Sequence, residues 1–264
     1  MTDVKTLDQQ AVCQTPYTPG EFVWHELMTS DVPKAVAFYG ALFGWTFEDM
    51  QMSNGTYTMV HADGKGIGGI LGMDGQVGIP THWVGYVSAP DIDAAAETAT
   101  KAGGLVVMAP TDIPGVGRFA VVVDPQGAVT MPFRSIHGDP VPGAPGVGTF
   151  CWDQLNVADP QAVAPFYKAL YGWSKTDSPM APDMFVFTHE DGEMAASLMK
   201  APEGVHGHWL SYVVVTDLTA ANAKAIAHGA TVMMEHIEVP TMGTFSVIQD
   251  PVGAYIALFQ STHF

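Results

Sequence analysis

The chain has 264 residues, of which 47% are hydrophobic and 14% charged, so it can bury a sizeable core and lacks the composition of a disordered protein. With 27 acidic residues against 10 basic ones, its net charge of −17 repels phosphates, which makes nucleic acid and anionic lipid poor partners. No apolar run reaches the ~18 residues of a membrane span and no signal peptide is recognisable, so the expectation is a cytoplasmic protein without a membrane partner.

The first elements follow a polar stretch, residues 1–20, which predicts a loose N-terminal arm. Asp31 is a suitable helix N-cap, Pro33 fits a first helical turn, and Gly44 follows the last apolar residue of the helical pattern. The predicted elements of this half are a strand over Phe22–Met28, a helix between Ser30–Asp31 and Gly44, and strands over Thr56–His61 and Ile67–Met73.

The same order of elements then recurs. A helix over Asp91–Ala102 is expected to end at Gly103, and a "DPQG" turn precedes the last strand. The predicted strands of this half are Trp83–Val87, Val106–Met108, Phe119–Val123 and Val129–Phe133. Each half therefore reads as one βαβββ unit.

The whole pattern is repeated later in the chain. Residues 24–45, "WHELMTSDVPKAVAFYGALFGW", align without a gap with residues 152–173, "WDQLNVADPQAVAPFYKALYGW", and residues 82–133 align with 208–259. A Gly- and Pro-rich stretch over residues 137–146 separates the copies. The prediction is an α+β protein of two tandem modules, residues 21–136 and 147–264, with four βαβββ units related by a pseudo-twofold. The two cysteines, Cys13 and Cys151, are expected to be reduced and unpaired.

This order of elements, with the "FYGALFGW" and "FYKALYGW" helix ends and the "DPQG" and "DPVG" turns, resembles the vicinal oxygen chelate superfamily of glyoxalase, bleomycin-resistance and dioxygenase-like proteins. The resemblance covers nearly everything from residue 20 to residue 262. It implies that the two units of each module form a curved mixed sheet around a cleft. It also implies a divalent metal held by His, Gln or Glu, although a fold does not by itself define a function.

The positions at which the resemblance places metal ligands carry other residue types here. Counting from the aligned Asp and Gly positions locates three of them in each module, and the fourth strands, "GIGGIL" and "MAASLM", offer no carboxylate or imidazole. The six positions hold Trp24, Val84, Met131, Trp152, Leu210 and Ala257. Because none suits a hard or borderline divalent cation, the expectation is that neither module has a metal or another cofactor. A divalent metal at a position outside the family pattern is the alternative.

Strand alternation predicts an apolar, aromatic cup with a few polar groups, which is typical of a small organic ligand site. The candidate catalytic residues are Glu26, His82 and Tyr86. The candidate ligand-binding residues are Trp24, Met28, Arg118, Met131, Phe133, Trp152, Gln154, His208 and Tyr212.

Each polar candidate also has a structural interpretation. Glu26 is a base with a raised pKa or a carboxylate bonded to Tyr86 or a backbone amide. His82 and His208 are histidines at a strand end or pocket rim, or ligands of a displaced metal. Arg118 binds a substrate anion or forms a salt bridge near its own turn. His25 is one residue out of phase with the cup and so belongs to the opposite face.

Three functional hypotheses follow from these residues. The first is a metal-free protein that binds a small apolar or aromatic molecule, acting as a monomer or homodimer. The second is a lyase- or isomerase-type enzyme that uses Glu26, His82 and Tyr86 for acid–base chemistry. The third is a glyoxalase or extradiol-dioxygenase-like enzyme with a relocated metal. Glu26 and Arg118 of the first module align with the uncharged Gln154 and Thr244 of the second. Because only the first module carries these charged groups, it is expected to contain the active or higher-affinity site.

Overall fold

The structure is a computed structural model that describes residues 16–52, 55–73, 78–140, 143–178 and 184–263. Each copy of the repeat forms its own eight-stranded sheet with two helices. The first copy consists of β1 (Phe22–Thr29), α1 (Val32–Phe43), β2 (Thr46–Met52), β3 (Gly55–Ala62), β4 (Lys65–Gly72), β5 (His82–Ser88), α2 (Ile92–Lys101), β6 (Leu105–Ile113), β7 (Gly117–Val123) and β8 (Val129–Ser135). The second consists of β9 (Phe150–Val157), α3 (Pro160–Tyr171), β10 (Ser174–Asp177), β11 (Met184–Thr188), β12 (Met194–Lys200), β13 (His208–Val214), α4 (Leu218–Ala227), β14 (Thr231–Val239), β15 (Gly243–Gln249) and β16 (Tyr255–Ser261).

The two sheets have the same strand order, β2-β3-β4-β1-β5-β8-β7-β6 and β10-β11-β12-β9-β13-β16-β15-β14. In the first sheet β1 pairs parallel with β4 and antiparallel with β5, and β5 pairs parallel with β8. The β1–β5 ladder therefore joins two βαβββ units into one mixed sheet. This confirms the α+β architecture of tandem βαβββ modules that the sequence predicts.

The helix boundaries follow from the caps that the sequence offers. Asp31 accepts a hydrogen bond from the Lys34 backbone N–H, and Asp159 plays the same part at the start of α3. At the other ends Gly44 and Gly172 adopt the left-handed conformation, with φ of 74° and 78°.

One strand in each module lacks the apolar alternation from which the other strands are predicted. β2 and its counterpart β10 lie at a sheet edge, and the residues of β2 are mostly exposed. An exposed edge strand does not need the apolar alternation by which strands are recognised, so neither was located from sequence.

The two modules share their cores. The first βαβββ unit of module one, with Phe38 and Val60, packs with the second unit of module two, including Leu218 and Ile256. The reciprocal cluster joins the second unit of module one to the first unit of module two around Trp173. Both modules therefore contribute to each of these two clusters.

Buried hydrogen bonds repeat across this shared core. The hydroxyl of Tyr39 donates to Asp250 Oδ2 at 2.8 Å, and the hydroxyl of Tyr167 donates to Asp124 Oδ2 at 3.0 Å. Each tyrosine comes from the first helix of one module and each aspartate from the "DPxG" turn of the other. Such reciprocal contacts are those of a pseudo-twofold arrangement.

At the pseudo-twofold axis the two modules carry different, complementary residues at the same aligned position. His25 and Asp153 occupy aligned positions of the two modules, and their side chains meet with His25 Nε2 2.9 Å from Asp153 Oδ2. The His25 ring stacks on Phe150 at a centroid distance of 3.9 Å, and the Ser211 hydroxyl donates to Asp153 Oδ1 at 2.6 Å. His25 thus faces the other module and not the cup, as the strand phase predicts.

The chain before β1 corrects the prediction of a loose arm for residues 17–20. The Tyr17 hydroxyl donates to the Ser135 carbonyl at 2.7 Å, and the Thr18 backbone N–H donates to Asp139 Oδ2 at 2.7 Å. Asp139, inside the predicted linker, is buried, and its carboxylate also accepts a hydrogen bond from the Ser88 hydroxyl. Residues 1–15, with Cys13, and linker residues 141 and 142 lie outside the described residues. Cys151 is a free thiol.

Candidate functional site

The concave face of the first sheet brings the central cup residues together. On β1, alternation places Trp24, Glu26 and Met28 on this face, and the ladder sets Glu26 opposite Val84 and Trp24 opposite Tyr86. On the far side of β5, Tyr86 faces Met131 of β8. Val84, Tyr86 and Met131 are buried and pack with half-buried side chains of the cup wall, among them Trp24, Met28, Phe119 and Phe133.

Glu26 lies at the centre of this cup with 4% of its surface exposed. The hydroxyls of Tyr57 and Tyr86 hydrogen-bond its carboxyl, and the Trp24 indole N–H donates to the Tyr57 hydroxyl at 2.9 Å. Burial raises the pKa of Glu26 from its usual 4.5 to about 7, even though both tyrosine hydrogen bonds favour the ionised form. The carboxyl can therefore be charged or neutral close to neutral pH.

Tyr57 is a site residue that the sequence analysis missed. It lies on β3, diagonal to Gly69 of β4, which pairs directly with Glu26. A Cβ atom on Gly69 would overlap the Tyr57 hydroxyl oxygen, so only glycine leaves room for this ring across the sheet. The glycine beside Glu26 is visible in the sequence, but the residue that fills its space depends on the register between β3 and β4.

Two polar candidates lie away from the centre of the cup. His82 begins β5 opposite Met28, two residues from Val84, and its Nδ1 is 2.8 Å from the Pro80 carbonyl oxygen. It is a half-buried residue at the strand end, in agreement with the interpretation of His82 as a strand-end or pocket-rim histidine.

Arg118 does not reach Glu26. Its guanidinium binds Asp93 of α2 and Asp112 of β6, at 3.0 Å and 2.7 Å, and it lines a surface depression with Tyr17. Its neighbour Phe119 packs with the cup, so alternation turns Arg118 to the other face of β7. The expected hydrogen bond between Glu26 and Tyr86 is present, and Tyr57 is the second partner of the carboxyl.

The cup of the second module carries a neutral network at the same positions. The Tyr212 hydroxyl donates to Gln154 Oε1 at 2.9 Å, and Gln154 Nε2 donates to Asn156 Oδ1 at 2.8 Å. The Trp152 indole N–H donates to the Ser197 hydroxyl at 2.9 Å. Gln154, 8% exposed, is thus satisfied on both its oxygen and its nitrogen by protein groups alone.

His208 occupies the rim of this second cup as His82 does in the first. It pairs with Asn156 across the β9–β13 ladder, and its Nδ1 is 2.9 Å from the His206 carbonyl oxygen. Near it, Leu210 and Tyr212 pack with half-buried Trp152 and Phe259.

The side chains present do not fit the metal that the superfamily uses. Trp24, Val84 and Met131 meet where the family ligands are expected, and the carboxylate beside them, Glu26, is hydrogen-bonded by two tyrosines. Within the described ranges, no group of three or more His, Cys, Asp or Glu has the arrangement of a metal site. The donor chemistry of the cup therefore matches hydrogen bonding and apolar contact better than coordination of a divalent cation.

Tandem βαβββ modules with a cup in each sheet define the class of protein, and comparison with known proteins identifies the family. A family model described as "Glyoxalase-like domain" matches residues 149–259, and one described as "Bleomycin resistance protein-like N-terminal" matches residues 21–62. The protein named "Putative glyoxylase CFP32" of Mycobacterium tuberculosis is 30% identical over 253 residues, covering 94% of this chain and 97% of its own. The chain belongs to the vicinal oxygen chelate superfamily, among its glyoxalase-like and bleomycin-resistance-like proteins.

Two further comparisons extend this result. The anthracycline biosynthesis protein DauV of Streptomyces sp. (strain C5) is 31% identical over 260 residues, covering 91% of this chain and 93% of its own. The crystal structure of the Mn(II)-bound glyoxalase from Novosphingobium aromaticivorans superposes with a TM-score of 0.63 at 14% identity, over 92% of this chain and 82% of that one. At this identity the superposition shows a shared fold. No helix in the described part of the chain has the length and apolarity of a membrane span.

Proposed function

We propose that the chain binds a small apolar or aromatic organic molecule in the cup of the first module, without the metal of its superfamily. The observation that carries the proposal is the make-up of this cup. Its wall is apolar and half-exposed at Trp24, Met28 and Phe133, while its floor holds Glu26 as a single ionisable carboxylate. Ligand sites of this kind combine a large apolar surface with few polar groups.

The second cup supports the assignment to the first. Gln154 has its hydrogen bonds filled by Tyr212 and Asn156, so a ligand gains little polar interaction there. Glu26 accepts from two hydroxyls, which leaves part of its accepting capacity for a ligand. The module with the buried carboxylate is therefore the better candidate for specific binding.

The relatives point to two chemical classes of ligand. The name of DauV refers to the biosynthesis of anthracyclines, which are planar aromatic molecules, and the name of CFP32 refers to glyoxylase activity. A net charge of −17 opposes the approach of anionic ligands. The aromatic wall of the cup favours the aromatic class.

Binding is tested with the neutral aromatic probe 1-naphthalenemethanol by isothermal titration calorimetry on the full chain. We expect saturable binding that Trp24→Ala weakens at least about tenfold, because a central aromatic contact is lost. Trp152→Ala, the matched change in the other module, is expected to leave the affinity unchanged. Loss only in Trp152→Ala would assign the site to the other module, and equal loss in both variants would contradict the assignment to a single cup.

Metal independence has its own test. Elemental analysis after dialysis is expected to find less than one zinc, iron, manganese or nickel ion per chain, and added metal is expected to leave probe affinity unchanged. A stoichiometric metal that contacts cup residues would contradict the proposal and favour a glyoxalase or dioxygenase-type enzyme with a relocated site.

Acid–base catalysis is a second candidate because the pKa of Glu26 is raised to about 7, where a carboxylate serves as a general base at neutral pH. In this role Glu26 takes a proton from a carbon acid, and the Tyr86 hydroxyl, no longer needed by an ionised carboxylate, turns its one hydrogen to the developing oxyanion. His82 lies further along β5 at the rim. Turnover of the methylglyoxal–glutathione hemithioacetal tests it: an enzyme of this type loses ~10²–10⁴ in rate on Glu26→Gln, whereas a binding protein shows no turnover to lose.

A further inference from the structure

The buried carboxylate of the first cup has no partner of opposite charge among the residues that the structure describes. The ion pairs in the described residues do not include Glu26, and its hydrogen-bond partners, Tyr57 and Tyr86, are neutral. A carboxylate removed from water without a countercharge is expensive, and that cost accounts for its raised pKa. The negative charge of ionised Glu26 is thus uncompensated by the described part of the protein, and a cationic ligand can compensate it.

This carboxylate is held in place by neighbouring side chains. The Trp24 indole N–H donates to the Tyr57 hydroxyl, and Tyr57 in turn hydrogen-bonds Glu26 through the space that Gly69 leaves open. Tyr86 fixes the carboxyl from the β5 side and is itself held edge-on by Phe133, with ring centroids 5.6 Å apart. Side chains locked in this way are typical of a preorganised binding site.

The chemistry that completes such a site is an organic cation. An ammonium group supplies both the missing positive charge and N–H donors for the carboxylate oxygens that the tyrosines leave free. The faces of Trp24 and Phe133 attract cations as well as apolar groups, and the overall charge of −17 steers cations toward the protein.

We propose that the first cup is an amine-binding site in which Glu26 anchors the ammonium group and the wall around Trp24, Met28 and Phe133 holds an aromatic body. This rests on the proposed function and adds the charge of the ligand to it. The second cup, with Gln154 in place of Glu26, lacks the anchor and does not prefer amines.

The anchor makes affinity depend on pH in a defined direction. Only the ionised carboxylate attracts the ammonium group, and with the pKa of Glu26 at about 7 the ionised fraction rises about tenfold between pH 6 and pH 8. Affinity for an amine is therefore expected to rise about tenfold over this range. The other titratable or charged side chains on the strands beside Glu26 are Tyr57 and His61 on β3, Lys65 on β4, His82 and Tyr86 on β5, and Arg134 on β8, two strands away.

The test compares two probes of the same shape, 1-naphthylmethylamine, protonated throughout this pH range, and neutral 1-naphthalenemethanol. Calorimetry on the full chain at pH 8 is expected to show the amine binding at least about tenfold more tightly, since it gains a charge-assisted hydrogen bond. Glu26→Gln, which copies the residue of the second module, is expected to abolish this preference and its pH dependence. Gln154→Ala, at the aligned position of the second cup, is the matched control that should retain both, and His82→Gln tests whether the rim histidine contributes to either.

Each other outcome has a distinct meaning. If both probes bind with equal affinity and Trp24→Ala weakens both, the amine proposal is overturned while the proposed function stands. If neither probe binds, both proposals fail. If the pH dependence persists in Glu26→Gln and disappears in His82→Gln, the anchor is wrong and the rim histidine is responsible.

Discussion

The two cups show how one framework produces two chemically different sites. Each has a tryptophan on its first strand and a tyrosine on its fifth, and each indole N–H donates to a hydroxyl at 2.9 Å. In the second cup that hydroxyl belongs to Ser197, a residue of β12 that pairs directly with Gln154. In the first cup it belongs to Tyr57, which reaches the same place from the next strand because Gly69 has no side chain.

The difference between Gly69 in the first module and Ser197 in the second affects more than the hydrogen bond of the indole. With Gly69, a tyrosine hydroxyl reaches the central Glu26 and helps to hold a buried carboxylate. With Ser197, the small hydroxyl fills the space, the position on β11 that corresponds to Tyr57 is occupied by Met184, and the central residue is a neutral amide. The charge of a site is thus set by the room its neighbours leave as well as by its central residue.

The largest effect is expected where the two modules meet. Asp153→Ala removes the partner of buried His25 and the acceptor of the Ser211 hydroxyl, and is expected to lower the free energy of unfolding by about 3–5 kcal/mol. His25→Asp is expected to be at least as damaging, because it places two carboxylates at the pseudo-twofold. Urea unfolding followed by tryptophan fluorescence measures both.

The exchange of both residues checks the interpretation of this pair. His25→Asp combined with Asp153→His restores a His–Asp contact and is expected to recover most of the lost stability. Recovery should be incomplete, because the swapped aspartate faces Gly85 and has no hydroxyl equivalent to Ser211. A double variant as unstable as the sum of its single changes would show that the pair does not act as a unit.

The next largest effect is a pH dependence of the unfolding free energy that comes from the first cup and not from the second. Since the pKa of Glu26 is raised from 4.5 to about 7 in the folded chain, folding favours the protonated form. Its stabilising contribution is full below pH 4.5 and is lost as the pH rises through 7, a change of roughly 2–3 kcal/mol between pH 5 and pH 8. Glu26→Gln removes this dependence, so its unfolding free energy relative to wild type is expected to increase over that range.

Gln154→Glu is the counterpart in the second module. It places a carboxyl in the buried position beside Tyr212 and is expected to add a pH dependence of the same sign. Urea unfolding at both pH values measures each variant against wild type. A wild-type difference that Glu26→Gln leaves unchanged would show that another group titrates.

A smaller effect is expected at the hydroxyls that serve the two indoles. Tyr57→Phe deprives the Trp24 N–H of its acceptor and Glu26 of a donor, at a cost of about 1–3 kcal/mol, and should raise the pKa of Glu26 further. Ser197→Ala removes the acceptor of Trp152 and a long hydrogen bond of 3.5 Å to Gln154 Oε1, but no ionisable group, and should leave the pH dependence of unfolding as it is in wild type. A shift of that dependence in Ser197→Ala, or none in Tyr57→Phe, would contradict the assigned network.

The smallest effect is expected at Arg118, which sequence comparison associated with the first cup. Arg118→Thr installs the residue of the second module and breaks solvent-accessible ion pairs to Asp93 and Asp112. Both the urea midpoint and the affinity for the naphthyl probes should stay within experimental scatter. A loss of affinity comparable with that of Trp24→Ala would place Arg118 in the site.

The sequence by itself determined the architecture, because the signals that specify it are local or repeated. Asp31 and Gly44 mark the ends of a helix by their own capping chemistry, and the gapless repeat reveals two modules without any knowledge of contacts. Strand alternation also placed Trp24 and Glu26 on one face and His25 on the other. The exposed edge strands β2 and β10 escaped because an edge needs no apolar pattern.

Only the tertiary structure decided which side chains meet. Tyr57 reaches Glu26 across an intervening strand, and His25 finds Asp153 across 128 positions of the chain, so neither pair shares a local pattern. Arg118 took the opposite face of its strand, where two aspartates bind it. Such contacts depend on strand register and on the packing of one module against the other, which bring together residues that sequence periodicity treats as independent.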